Sequence, residues 1–127
     1  MKRTLFTILM SILLSLTAYS QDKIQYDDNS VTISTTEIEC GSFDYVNFTF
    51  VNKTPNTVTI TYVLELKMAG ELNWSIDNDH NGVHTIIINP NGTVSGSCGS
   101  HDYLQFLGKT DGNRGVAAYK ITNVQIN

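Results

Sequence analysis

The chain has 127 residues, 41% hydrophobic and 16% charged, a size and composition that suggest one domain. Eight Lys and Arg stand against twelve Asp and Glu, a formal charge of −4 at pH 7. A mildly acidic chain with scattered Lys lacks the basic footprint that nucleic acid or anionic lipid requires, so neither partner is expected.

Residues 1–20 read as a cleavable signal peptide. Lys2 and Arg3 form a basic start, Leu5 to Leu16 an apolar run, and Ala18-Tyr19-Ser20 a small-residue cleavage site. The rival reading is a membrane anchor, but a spanning helix needs roughly 20 apolar residues. This run is shorter and is broken by Thr7, Ser11 and Ser15. Cleavage would make Gln21 the new N-terminus, leaving residues 21–127 as a single domain with no membrane span. With Lys2 and Arg3 gone, six basic residues face twelve acidic ones, a formal charge of −6. The expected location is the periplasm, the cell surface or the medium.

Past the leader, hydrophobicity repeats every second residue, the period of a half-buried strand. Strands are expected near Lys23–Tyr26 or Val31–Glu39, then at Tyr45–Asn52, Thr57–Met68, Val83–Ile88, Thr93–Cys98, Tyr103–Leu107 and Val116–Ile126. In the longest, Val58, Ile60, Tyr62, Leu64, Leu66 and Met68 share one face, and Thr57, Thr59, Thr61, Glu65 and Lys67 the other. Between strands lie turn-forming stretches: Asn52-Lys53-Thr54-Pro55-Asn56, Asn89-Pro90-Asn91-Gly92, and the polar loop Gly108 to Gly115. A change of parity near Thr122 and Asn123 predicts a bulge in the last strand. No segment after the leader has a helical period. The expected fold is therefore all-β: an antiparallel immunoglobulin-like sandwich of about seven strands, with a small β-barrel as the alternative. Val46, Phe48, Phe50, Val58, Ile60, Tyr62, Leu64 and Leu66 should supply much of its core.

Cys40 and Cys98 are the two cysteines. An even count in an exported chain predicts one disulfide between them. Their spacing is far too wide for CxxC redox chemistry, and two Cys without a clustered His pair make a poor zinc site.

Residues 43–71 (FDYVNFTFVNKTPNTVTITYVLELKMAGE), 88–98 (INPNGTVSGSC) and 119–126 (YKITNVQI) carry a resemblance. The chain resembles a group of small exported proteins of Bacteroidota with an immunoglobulin-like sandwich, over roughly residues 24–127. The resemblance implies fold and export, and no activity or cofactor. Relatives in that group often carry extra cysteines in the loop after the long strand; this chain has Asn73, Trp74 and residues 77–82 there instead.

Each candidate chemical motif has a plainer explanation. Asp77-Asn78-Asp79-His80-Asn81-Gly82 matches the first half of a calcium loop, with oxygen ligands from Asp77, Asp79 and Asn81. The bidentate Glu due at the twelfth position falls on Ile88, so a polar turn-rich loop is expected and no metal. Ser100-His101-Asp102 has triad residue types, but adjacent side chains on extended backbone point apart. His80 and His84 sit on a loop and a strand, where a four-residue spacing does not gather ligands. Glu37 and Glu39 share a strand face and read as a solvated strand end. The Thr57, Thr59 and Thr61 row reads as ordinary strand surface. Four sequons begin at Asn47, Asn52, Asn73 and Asn91 and read as strand and turn residues. Trp74 is read either as a cap on one end of the core or as an exposed anchor.

These residues favour a non-catalytic interaction module with a protein or glycan partner, not an enzyme. A glycan-binding surface would use Trp74, Tyr45 and Tyr103. A periplasmic chaperone or assembly inhibitor would use a strand edge or a charged face. The rival class is a small secreted hydrolase built from Asp77, Asp79, His80, His84 or His101.

Overall fold

A computed structural model describes residues 22–76, 82–100, 104–107 and 115–127. They form nine strands: β1 (Lys23–Asp27), β2 (Val31–Cys40), β3 (Phe43–Asn52), β4 (Val58–Met68), β5 (Ser75–Ile76), β6 (Val83–Ile88), β7 (Thr93–Ser95), β8 (Gln105–Leu107) and β9 (Val116–Ile126). All pairings are antiparallel. β1, β2, β3, β7 and β8 make one sheet, and β4, β5, β6 and β9 the other.

The nine strands occupy seven lanes, because two lanes are interrupted. β7 and β8 lie end to end along one side of β3, opposite Thr49–Val51 and Tyr45–Asn47. β5 and β6 do the same along β4. Four lanes face three, the layering of an immunoglobulin constant domain. The order differs, because the third lane lies beside the second, whereas in the immunoglobulin order it crosses to the other sheet. Local chemistry dictates this. Cys40 pairs with Phe43 across the two residues Gly41 and Ser42, and Gly41 has a φ of +66°. Glycine at the first central position of a two-residue turn folds the chain straight back onto itself. The two sheets are separate, so the barrel alternative does not hold among the described residues.

One face of each sheet packs on the other. Val31, Ile33, Phe48 and Phe50 from the first sheet join Val58, Ile60, Tyr62, Leu64, Ile86 and Ile88 from the second in a single buried cluster. The rings of Phe48 and Phe50 lie 6.0 and 5.5 Å from that of Tyr62, bridging the layers. Every residue expected in the core is buried except Leu66, which is half-buried against it. The expected bulge is present. Thr61 pairs with Gln125 and Val63 with Thr122, so Asn123 and Val124 together oppose Tyr62. Asn123 takes the left-handed conformation, φ +52°, that its short polar side chain tolerates.

Two of the three crossovers between layers, β3–β4 and β6–β7, meet at one end, on Asn52. Its side chain is buried, and its Nδ2 donates to the carbonyls of Asn56, Ile88 and Asn89 at 2.7, 3.3 and 2.9 Å. Its Oδ1 accepts from the backbone N–H and the hydroxyl of Thr54 at 2.9 and 2.8 Å. Its own N–H donates to Gly92 O at 2.9 Å. The β3–β4 loop and the Asn89–Gly92 turn are thus tied to one amide.

The β1–β2 turn joins the same end. Asp28 Oδ1 accepts the N–H groups of Ser30 and Val31, each at 2.7 Å. The Val31 bond is the main reason the Asp28 carboxyl is held below its ordinary value, and the bonds from Tyr26 and Ser30 add to it against some desolvation.

Two outcomes are expected. Asn52→Ala should cost about 3 kcal/mol in urea unfolding, because it removes five hydrogen bonds made by one buried side chain; a loss under about 0.5 kcal/mol would contradict the role given to this amide. For Asp28, a folded pKa below the unfolded one contributes stability that is present above the ordinary carboxylate range and lost as pH falls through the folded value. Melting temperature should therefore drop on acidification below about pH 4, less steeply in Asp28→Asn. Parallel acid limbs in the two proteins would show that Asp28 carries none of it.

Candidate interaction surface

Midway along β3 the chain leaves that strand's edge at Gly96 and returns at Leu104. Gly96 N–H donates to Phe48 O at 2.8 Å, and Phe48 N–H donates to Leu104 O at 2.9 Å. The two backbones meet so closely that a Cβ on Gly96 would lie 2.2 Å from Leu104 O, which only glycine avoids. On the outer face above them, Asn47 donates to Gly96 O at 3.0 Å and accepts from buried Gln105 at 2.9 Å. Cys98, on the segment that departs here, is disulfide-bonded to Cys40 at the end of β2, with Cα atoms 5.6 Å apart. The bond straps that segment across the outer face of β3.

Several residues singled out in the sequence lie outside the described residues: Asp77, Asp79, His80, Asn81, His101, Asp102 and Tyr103. His84 is described, and it points into the core. It is 1% exposed and its ring stacks on Tyr62 at 5.3 Å. A buried imidazole in that position cannot meet a substrate in solvent. Among the sequon asparagines, Asn47 and Asn52 are buried, and Asn73 and Asn91 exposed.

Glu37, Asp44, Tyr45, Val46, Val116 and Tyr119 line a cleft of about 330 Å³ where the sheets part at the hairpin end. Tyr119 bonds Thr35 Oγ1 through its hydroxyl at 2.8 Å. Burial raises its phenol pKa and the nearby Glu37 charge adds to that, against a lowering by the Thr35 bond. Glu39, paired with Asp44, stands beside the cleft on the same strand face.

Trp74 does not cap the core. It lies on the outer face of the second sheet, with the Lys120 ammonium 4.6 Å from its ring centre. Lys120 is in turn 2.6 Å from Glu65 Oε2. Tyr45 borders the cleft from β3, and alternation with inward Val46 assigns it to the outer face of the first sheet. Trp74 and Tyr45 therefore stand on opposite layers and do not form one surface.

Among the described residues, exposed Ile24 and Phe43 stand apart on β1 and β3, and the other exposed large apolar residues are gathered on one lane. Leu72, Trp74, Ile76, Val83 and Ile87 are exposed, and they follow one another along the β5–β6 lane. On β6, Val83, Thr85 and Ile87 face solvent while His84, Ile86 and Ile88 face the core. This lane is the outer edge of the second sheet. The sequence shows the alternation but not which strand ends a sheet, so it does not reveal the stripe as a surface.

Compared with known proteins, the chain matches no protein-family model. It matches no curated protein. Among solved structures it is similar to a DUF1425 family member from Shewanella sp. pv-4, with 13% identity over 85% of this chain and 91% of that one, at a TM-score of 0.46.

The disulfide closes a loop of 58 residues, which in the chain-entropy account stabilises by about 4 kcal/mol. Cys40→Ala/Cys98→Ala should lose roughly that much in denaturant unfolding. Intact mass before and after reduction and alkylation checks the bond itself, and two alkylated thiols without prior reduction would refute it.

Proposed function

We propose that the chain is a non-catalytic protein-interaction module that works in the cell envelope or the medium. One observation carries the reading: five exposed large apolar side chains, Leu72, Trp74, Ile76, Val83 and Ile87, run along a single sheet edge. Scattered apolar residues on a surface need no explanation, but a contiguous stripe of them marks a contact surface. Its position at an edge adds main-chain hydrogen-bonding groups to the apolar contact, the combination used when a strand is added to a sheet. The leader-like residues 1–20 and the Cys40–Cys98 bond support work in an oxidising compartment. The resemblance to exported Bacteroidota proteins supports the same location and makes a Bacteroidota cell the natural host for a test.

A photo-crosslinking residue placed at Ile76 or Ile87 in cells should yield discrete adducts, and the same residue at exposed Thr93 should not. No adduct at any position, or equal adducts at all three, would overturn the reading. So would turnover of an ester, glycoside or peptide that is lost in His101→Ala.

A further inference from the structure

We propose that β6 pairs edge to edge with β6 of a second copy of this chain, antiparallel about a two-fold axis at Thr85. The proposal rests on the interaction-module reading and names its partner. Among the described residues β6 pairs as a strand with β4 alone. In an extended strand, successive backbone groups point to alternate sides, so half of those on β6 point away from β4. They repeat at strand spacing, and another strand is what matches that repeat.

The other edges are blunted in ways that β6 is not. β1 has a bulge at Gln25 and bears Lys23 and Asp27. β9 carries two extra residues, at Asn123 and Ala117, that break its register against β4. The β7–β8 lane consists of two three-residue pieces. β6, by contrast, keeps unbroken register with β4 over six residues, Val58–Val63 against Val83–Ile88. Residues 82–89 (GVHTIIIN) contain no charged side chain and no proline. Regular, apolar and uncharged edges are those that natural sheets otherwise avoid exposing.

Symmetry and sign select a second copy as the occupant. Antiparallel self-pairing must place outward residues opposite outward residues, since a one-residue slip sets them against core-facing ones. A two-fold at Thr85 puts Val83 of one copy opposite Ile87 of the other, on both sides of the axis. The two exposed apolar residues of β6 then cover each other, at 47% and 64% exposure in the single chain. A two-fold at Ile86 would instead leave Val83 against Asn89. Two acidic chains repel at long range, but this seam is uncharged, so no like charges are forced together. The three-lane sheets of two copies would join into one six-lane sheet.

The test uses the full exported chain in its processed form. Sedimentation should show a concentration-dependent dimer that tightens as salt rises, because screening weakens repulsion between acidic copies. Thr85→Lys sets two ammonium groups face to face at the axis and should weaken the dimer by at least about tenfold. Gln125→Lys, exposed on the far lane of the same sheet, should leave it unchanged. Thr85→Cys should crosslink to itself under mild oxidation. Val83→Cys should not, because the two copies of residue 83 would sit roughly 14 Å apart by strand rise. Overturning results are a monomer at all concentrations, equal crosslinking of the two cysteine variants, or equal weakening by the two lysine variants. In-cell adducts from Ile87 to a different protein, with a monomer in solution, would sink the pairing and leave the module reading standing. A monomer with no adducts would sink both.

Discussion

Two sheets can share a core only if the chain crosses between them, and every crossing exposes backbone groups that no ladder satisfies. Here both crossings at the closed end fall on Asn52. A buried amide is tolerable because both of its functions are used: the nitrogen serves three carbonyls and the oxygen serves Thr54 twice. A carboxylate could not donate and a leucine could do neither. The tie also sets alignment. Asn52 ends β3, Ile88 ends β6, and Gly92 precedes β7, so one residue, through its side chain to Ile88 and its backbone N–H to Gly92, ties the two layers where their inward faces meet.

With that alignment, Phe48, Phe50 and Tyr62 interlock at the centre, and β3 and β4 become the middle lanes of their sheets. Magnitudes rank the stabilising contributions. Each buried aromatic or large aliphatic side chain contributes about 1.5–3 kcal/mol. The ten-residue cluster therefore outweighs the disulfide, and both outweigh the surface pairs Lys53–Asp27 and Lys120–Glu65, which solvent and salt screen. The Lys120 pair does its more specific work by holding the ammonium against the Trp74 ring, which keeps that indole on the outer face.

Most of the fold is legible in the sequence because a period of two is a direct signal of strand and face. Val58–Met68 has the expected inward set, and Asn123 marks the bulge through its parity break. The Gly41-Ser42 turn is a two-residue loop with Gly first, a signal too short to stand out between two long strands. The hairpin it makes, and with it the departure from the immunoglobulin order, emerges only in the structure. Other features leave no local trace. Thr93–Cys98 reads as one strand, yet it stops at Ser95, because the carbonyl of Leu104, eight residues beyond Gly96, occupies the space beside that glycine. β5 is two residues long, too short for any period. His84 reads as a candidate ligand or base because sequence shows residue type, while its role under Tyr62 is set by the face it occupies.

The two constrained regions also separate stability from recognition. The disulfide, the Gly96–Leu104 contact and the Asn47–Gln105 pair all stiffen the outer side of the first sheet. The apolar stripe lies along the edge of the second. Among the described residues no hydrogen bond joins the strap to β6, which is bonded to β4 and to Asn52. Reducing the bond therefore breaks no hydrogen bond of the edge, whereas losing the Asn52 amide removes one at Ile88, the end of β6. The apolar edge is held in register by its unbroken ladder with β4 and tied at one end to a buried polar side chain of β3, which is why a surface so lacking in charge can still keep one alignment.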